Sequence, residues 1–446
     1  MPRVIYKRRV CTFLFLAVCF SLSAQGKVIS IDEYCTMALE GNSGVKSARY
    51  AQTAANAQSW QAFTNFFPKV SGTGGVLALN LFGGKASIDL DRILGTNITM
   101  NFDDKLSGTM LGLTVSQVIF AGGRIFSTNI LAQKGKEASA YQLVMKQNEA
   151  GLTARQKYFQ YVLLKQGIEV LNVYSETLDA LYNQASQALE RGAISRTDTL
   201  RVEVKREEIN IQKAEMEDLF VLSGKDLKLF AGLNENAELN VVEDFDVLGA
   251  ITEPSLDYAD ISFRLSLRPE YKLLNIQAEA AKLNEIIALG EYAPSIEAGI
   301  TMFRSDFYNG YWTPSKAFYQ DAAGFIVFNL PISKWWEGYH KYDQMRALTQ
   351  DAVQKREDGN KYLLLDMENK FIAYKKAWRN VHLAELGVKL AQANLSAYKD
   401  GYRAGINSMS DYLEALGLVY ENTTKLNQSK SDYWLARTAF EQSSGQ

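Results

Sequence analysis

The chain has 446 residues, with 48 basic and 50 acidic side chains and a formal net charge of -2. That balance gives no electrostatic case for binding nucleic acid, and the length allows two or three domains. Residues 1–24 read as a secretory leader. Arg3, Lys7, Arg8 and Arg9 precede an apolar run from Val10 to Phe20, and the small Ser21, Ser23 and Ala24 come next. The run is too short for a spanning helix. Its removal takes Cys11 and Cys19 away and leaves Cys35 alone, so the exported chain has no internal disulfide. No later run reaches about 20 apolar residues, which leaves either a soluble protein or a membrane β-barrel.

Prolines divide the rest of the chain. They stand at 2, 68, 254, 269, 294, 314 and 331, so the stretches 69–253 and 332–446 contain none and can hold very long helices. A helical pattern runs from Ile31 to Phe67 and ends at Pro68. The Gly-rich segment Val70 to Leu81 alternates as a strand, and Thr109 to Ile119 alternates again, with Leu111, Leu113 and Val115 opposite Gly112, Thr114 and Ser116. Arg124 to Glu190 is then one unbroken helical stretch, roughly 100 Å long. Gly192 and Ser195 mark a turn, and a returning helix carries Val202, Ile209, Met216 and Phe230 at its contact positions.

Residues 233–267 have no clear period and read as a linker with short structure of its own. The pattern then repeats: helix from Arg268-Pro269 to Tyr292, strand from Ser295 to Phe303, strand from Ala323 to Ile332, long helix from Glu337 to Arg403, turn, returning helix. Pro68 and Pro294 are 226 apart, as are Asn42 and Arg268; the second strands match at an offset of 213, so the loop around Phe82 to Ser107 is the longer one. Seven-residue spacing, as in Tyr374, Val381, Val388, Leu395 and Tyr402, predicts coiled-coil packing. A solvated helical bundle would carry the same stripes. The domains are therefore read as 25–232, 233–267 and 268–446, two tandem repeats around a linker.

Both turns read G-x-x-S-x-[ST]-D-x-L: Gly192-Ala193-Ile194-Ser195-Arg196-Thr197-Asp198-Thr199-Leu200 and Gly405-Ile406-Asn407-Ser408-Met409-Ser410-Asp411-Tyr412-Leu413. Gly closes one helix at positive φ, Ser caps the next, and Asp suits the positive end of its dipole. Any tight helical corner could use these residues; two copies inside a duplication point to architecture. Four strands of about ten residues are long enough to cross a bilayer but too few to close a barrel, and open edges are not tolerated in lipid. Either the strands are soluble or several copies combine. Thr114, Ser116, Glu297, Thr301 and Asn329 would then line water.

This combination of leader, duplicated strand pairs, very long helices and paired turns resembles the TolC-like outer-membrane efflux proteins. So do the phrases Gln117-Val118-Ile119-Phe120-Ala121-Gly122-Gly123-Arg124 and Leu267-Arg268-Pro269-Glu270. The resemblance implies a mainly α protein with membrane β-structure, acting as a homotrimer. Its strands would form one 12-stranded outer-membrane barrel, continuous with a periplasmic α-barrel. It implies a passive conduit without a cofactor, partnered by a periplasmic adaptor protein and an inner-membrane transporter. Asp411 and Glu414 fall where the family places its constricting carboxylates, and Tyr402 and Asp198 match residues that hold its closed state. Asn407 replaces a basic residue of that lock. The turn residues Gly192, Ala193, Ser195, Gly405, Ile406 and Ser408 match adaptor contacts. A periplasmic adaptor or a pore-free scaffold is the alternative, though an adaptor needs one hairpin rather than two. Enzyme readings find little: His340 and His382 lack metal-ligand company, and no phosphate loop or nucleophile elbow occurs.

Overall fold

The structure is a computed structural model that describes residues 28–80, 86–89, 99–102, 105–237, 240–242, 245–255, 261–309 and 314–445. The segment read as a leader lies outside them. Element order is β1 (Val28–Ile29), α1 (Ile31–Gly41), α2 (Ser43–Phe63), β2 (Lys69–Asn80), β3 (Ala86–Asp89), β4 (Thr99–Phe102), β5 (Lys105–Ala121), α3 (Arg124–Glu190) and α4 (Arg196–Phe230). Then come β6 (Asn240–Val241), α5 (Ile261–Leu267), α6 (Pro269–Gly290), β7 (Ser295–Asn309), β8 (Pro314–Asn329), α7 (Trp335–Arg403) and α8 (Met409–Ser443). The two longest helices span 67 and 69 residues, about 100 Å each at the usual rise. Among the described residues no helix is long and apolar enough to cross a membrane.

The first helical stretch differs from expectation. It breaks at Asn42, whose extended backbone ends α1 and whose Oδ1 accepts from Gly44 N at 2.9 Å and Val45 N at 3.2 Å. A short polar side chain that satisfies two orphan amides caps a new helix where apolar periodicity alone reads one. Arg268 stands in the same place before α6, with Pro269 as its first residue. Its buried guanidinium reaches α7 instead. Nη1 donates to Leu363 O at 3.1 Å, Nη2 to Asp366 at 3.0 Å, and Nε to Glu270 at 3.3 Å. The Leu-Arg-Pro-Glu phrase is thus a helix start that ties two helices together.

The strands β2, β5, β7 and β8 form one antiparallel sheet in the order β2-β5-β7-β8. They extend past the expected ends: β7 continues through Arg304, Ser305 and Asp306 because β5 still pairs with it there. Backbone pairing persists after the apolar alternation stops. The longer loop carries a small hairpin of its own, β3 with β4.

Below the sheet, α4, α3, α8 and α7 lie side by side in that order. Of the predicted contact positions, Val202 and Ile209 on α4 and Tyr374 and Val381 on α7 are buried, and Met216, Phe230, Val388, Leu395 and Tyr402 are half-buried; Leu171, Leu178 and Leu181 on α3 and Tyr412 and Tyr433 on α8 are buried too. The two outer helices leave stripes uncovered. Helix α4 exposes Val204, Ile211, Leu222 and Leu229, and α7 exposes Leu348, Tyr362, Ile372, Leu383 and Leu390. Midway along the helices, the linker contributes β6, which pairs in parallel with β1, and Phe245, which joins the cluster of Tyr34, Tyr158, Phe159 and Leu227. Tyr158 Oη lies 3.1 Å from both Ile29 O and Val242 O and shares its one proton between them, so one side chain ties both strand ends.

Candidate functional site

The two helical turns are built alike. In the first, Gly192 sits at φ 72°, its N–H donates to Leu189 O at 2.8 Å, and Ala193 N donates to Ala188 O at 2.8 Å. In the second, Gly405 sits at φ 71°, donates to Tyr402 O at 3.0 Å, and Ile406 N donates to Gly401 O at 2.8 Å. These are paired Schellman closures, which need a residue at ease with positive φ. Each following helix is capped by its serine. Ser195 Oγ accepts from Asp198 N at 3.3 Å and donates to Asp198 Oδ2 at 2.8 Å. Ser408 Oγ accepts from Asp411 N at 3.2 Å and donates to Asp411 Oδ2 at 2.8 Å, and Ser408 N donates to the same oxygen at 3.0 Å. Both motifs therefore spell out a helix stop and a serine N-cap, and the second completes a capping box with Asp in place of the usual Glu. The bond from Asp back to Ser escapes the sequence reading, although S-x-x-D signals it.

Asp411 is half-buried and Glu414 exposed, one turn apart on α8. The hydroxyl and then the backbone N–H of Ser408 hold the Asp411 carboxyl below its ordinary value of 3.8. A depressed carboxylate stabilises the helix start above its unfolded pKa, and that contribution fades as pH falls through the lower folded value. Asp411 thus stays ionised at neutral and mildly acidic pH.

Tyr402 packs against the cluster that holds Leu181, Val202 and Tyr412, its ring 5.7 Å from that of Tyr412. Burial, then the charge of Asp198, raise its phenol above the ordinary value. The structure thus brings Tyr402 and Asp198 within electrostatic reach, but among the described residues no hydrogen bond joins them. Asn407 turns inward: its Nδ2 donates to Tyr398 O at 3.5 Å and lies against Gly401. Gly192, Ala193, Ser195, Gly405 and Ser408 are exposed, and Ile406 is 80% exposed at the very tip. Leu413, the last residue of the motif, seats the second turn together with Met409 and Leu416, whose packing role escapes the sequence reading although their spacing on α8 signals it.

At the far end, the strand register separates two faces. Val70, Leu111, Leu113, Val115, Ile300, Met302, Ile326 and Phe328 share one, and Ser71, Thr73, Thr114, Ser116, Glu297, Thr301 and Asn329 share the other, more polar one, together with Val118, Phe325 and Val327. Thr114 and Thr301 hydrogen-bond across strands at 2.8 Å. On the apolar face, Ile300 is 56% and Ile326 78% exposed in the single chain. Among the described residues, strands β2 and β8 each leave one edge unpaired. Among the described residues no cluster of His, Cys, Asp or Glu has the geometry of a metal site.

Comparison with known proteins agrees with this geometry. A profile of the family described as "Outer membrane efflux protein" matches residues 35–228. No curated protein matches the sequence. Among solved structures, CusC is similar at a TM-score of 0.79 and 14% identity, covering 93% of this chain and 91% of that one; its structures are described as concerning folding and transmembrane channel formation. The open-state Neisseria gonorrhoeae MtrE outer membrane channel is similar at 0.77 and 16% identity, covering 93% and 88%. The Campylobacter jejuni CmeC outer membrane channel is similar at 0.74 and 18% identity, covering 93% and 85%. By sequence over residues 35–228, and by fold over 93% of its length, the chain resembles the TolC-like outer-membrane efflux proteins.

Proposed function

We propose that the chain is the outer-membrane channel of an efflux or type I secretion assembly. It is a passive conduit from an inner-membrane transporter, through a periplasmic adaptor, to the outside. One observation carries the reading: a four-stranded sheet with one apolar face, one polar face and two unpaired edges. Lipid does not tolerate such edges, so the sheet must close with other copies. Three copies of the four-stranded sheet give twelve strands, with the Thr114 face toward water and the Ile300 face toward lipid. The uncovered stripes of α4 and α7 support the same closure, since α4 of one protomer can pack on α7 of the next and a head-to-tail contact of this kind forms a ring. The matched order of elements on either side of 233–267 supports two tandem repeats, 25–232 and 268–446.

The turns then form the periplasmic end. Asp411 and Glu414 from three protomers make two stacked acidic rings that draw cations into a constriction. Tyr402 and Asp198 hold this end together. Asn407 contributes through its own helix end rather than through a charged bridge. Gly192, Ala193, Ser195, Gly405, Ile406 and Ser408 present a small, uncharged rim to the adaptor. Planar-bilayer recording tests the function: the purified protein should give discrete ion-conducting steps, and a protein that never conducts is not this channel. Asp411→Asn with Glu414→Gln, which keeps hydrogen-bonding capacity at both positions, should weaken block by a trivalent cation on the order of tenfold. Unchanged block would remove both residues from the constriction.

A further inference from the structure

Just beneath the sheet, α2, α3 and α6 share a cavity of about 640 Å³. Its fifteen lining residues include no charged side chain and five carboxamides: Gln58, Gln61, Asn65, Gln142 and Gln277. Gln58, Gln61, Gln142 and Gln277 are exposed and Asn65 half-buried, so the hollow is an open groove whose amides face outward from the helices. Helix α3 runs between the other two and is recessed by Ala132, Gly135 and Ala138. In a ring of helices the middle one of three bulges outward on the convex side, so a hollow shared by all three belongs to the concave side, toward the axis. The other side of the α2–α3 seam also carries carboxamides, Gln52, Asn56, Asn129 and Gln133, but adds the charged Lys136 and Glu137 and the bulky Trp60.

We infer that this cavity is a binding station for uncharged, polyhydroxylated solutes passing along the bore, a reading that rests on the channel function proposed above. A carboxamide offers two N–H donors and an acceptor oxygen, and a hydroxyl both donates and accepts, so each can satisfy the other completely. Five such groups around one hollow exchange hydrogen bonds with a sugar ring at small net cost per bond, which suits transient holding rather than tight capture. An ion gains little here, because no opposite charge replaces its lost water. The threefold ring repeats the cavity at one level of the bore. The two ends of the α-barrel therefore differ: the acidic rings at the turns act on charge, and this station acts on hydrogen-bonding shape.

Single-channel recording of the full-length trimer with maltohexaose tests the assignment. The neutral oligosaccharide should produce brief, concentration-dependent interruptions of the current. In the triple variant Gln58→Leu, Gln61→Leu, Gln277→Leu, their apparent affinity should fall at least about tenfold while open conductance persists. A second variant, Gln61→Glu, should shorten the interruptions and shift preference toward a tetralysine peptide. Equal interruption by a sulfated oligosaccharide of the same length, or unchanged affinity in the triple variant, would overturn the assignment. A wild-type protein that conducts no current would instead overturn the channel reading beneath it, and this inference with it.

Discussion

Ile300→Arg is expected to prevent stable insertion of the assembled protein, while Ala323→Arg at the same level is tolerated. Ile300 sits on the apolar face of β7, halfway between Ile296 and Arg304, and pairs with Val115 and Gly324. Ala323 pairs with Thr301 on the polar face. Arginine near the bilayer midplane on the lipid side of a barrel costs roughly 2–4 kcal/mol, and the site recurs in each protomer. Three copies lose about 6–12 kcal/mol, comparable with the whole stability of an ordinary domain. In a water-soluble protein the ranking would vanish, because an exposed isoleucine replaced by arginine normally shifts stability by only about 0.5 kcal/mol. Heat-resistant trimer in isolated outer membranes is the readout. Equal yields of the two variants would mean that the apolar face does not meet lipid.

Gly41→Ala should be nearly as damaging, for a reason confined to one point of backbone contact. A Cβ at Gly41 would overlap the carbonyl oxygen of Ala231, where the end of α1 meets the end of α4. Gly232 lies opposite at φ 66°, its own Cβ position 2.8 Å from Gly41 O. Neither backbone can shift alone, because Tyr34, Ala38, Leu227 and Ala231 pack around the crossing and Tyr34 Oη donates to Leu227 O at 2.9 Å. Parting the two helices opens that cluster, and the expected loss is about 3–5 kcal/mol. Gly151→Ala is the contrast. It lies inside α3 with open space at the Cβ position, so better helix propensity should stabilise the protein by about 0.5–1 kcal/mol. Thermal unfolding of both variants gives the comparison, and a Gly41→Ala protein that melts with the wild type would show the crossing to be loose.

What the sequence discloses depends on the range of the interaction concerned. The Arg124–Glu190 helix is legible to the residue, because its heptads and the absence of proline act locally. The Gly-to-Asp turn motif is legible too, since stop and cap are completed locally, between Ala188 and Asp198. The sheet faces come from alternation, which register must respect wherever one face meets a different medium. The rest depends on partners distant in the chain. Nothing near Gly41 announces Ala231, and nothing near Arg268 announces Leu363 and Asp366 on α7. The strand ends read short because polar residues such as Arg304 and Asp306 hide a pairing that β5 supplies. At the site, Asp411 reads from sequence as an acid suited to the helix dipole, but the bonds that its carboxylate accepts from Ser408 N and Oγ, which close the cap of α8, do not show in that reading.

The most direct test of the account joins the two open edges of the sheet. Thr73→Cys on β2 and Phe325→Cys on β8 put one thiol at each edge on the polar face. A short thiol crosslinker applied to the double variant in outer membranes should then link β8 of one protomer to β2 of the next. The account predicts a crosslinked product of three chains and no larger species. A product that stays monomeric, or a ladder that runs on past three, would contradict closure of this sheet into a single twelve-stranded pore.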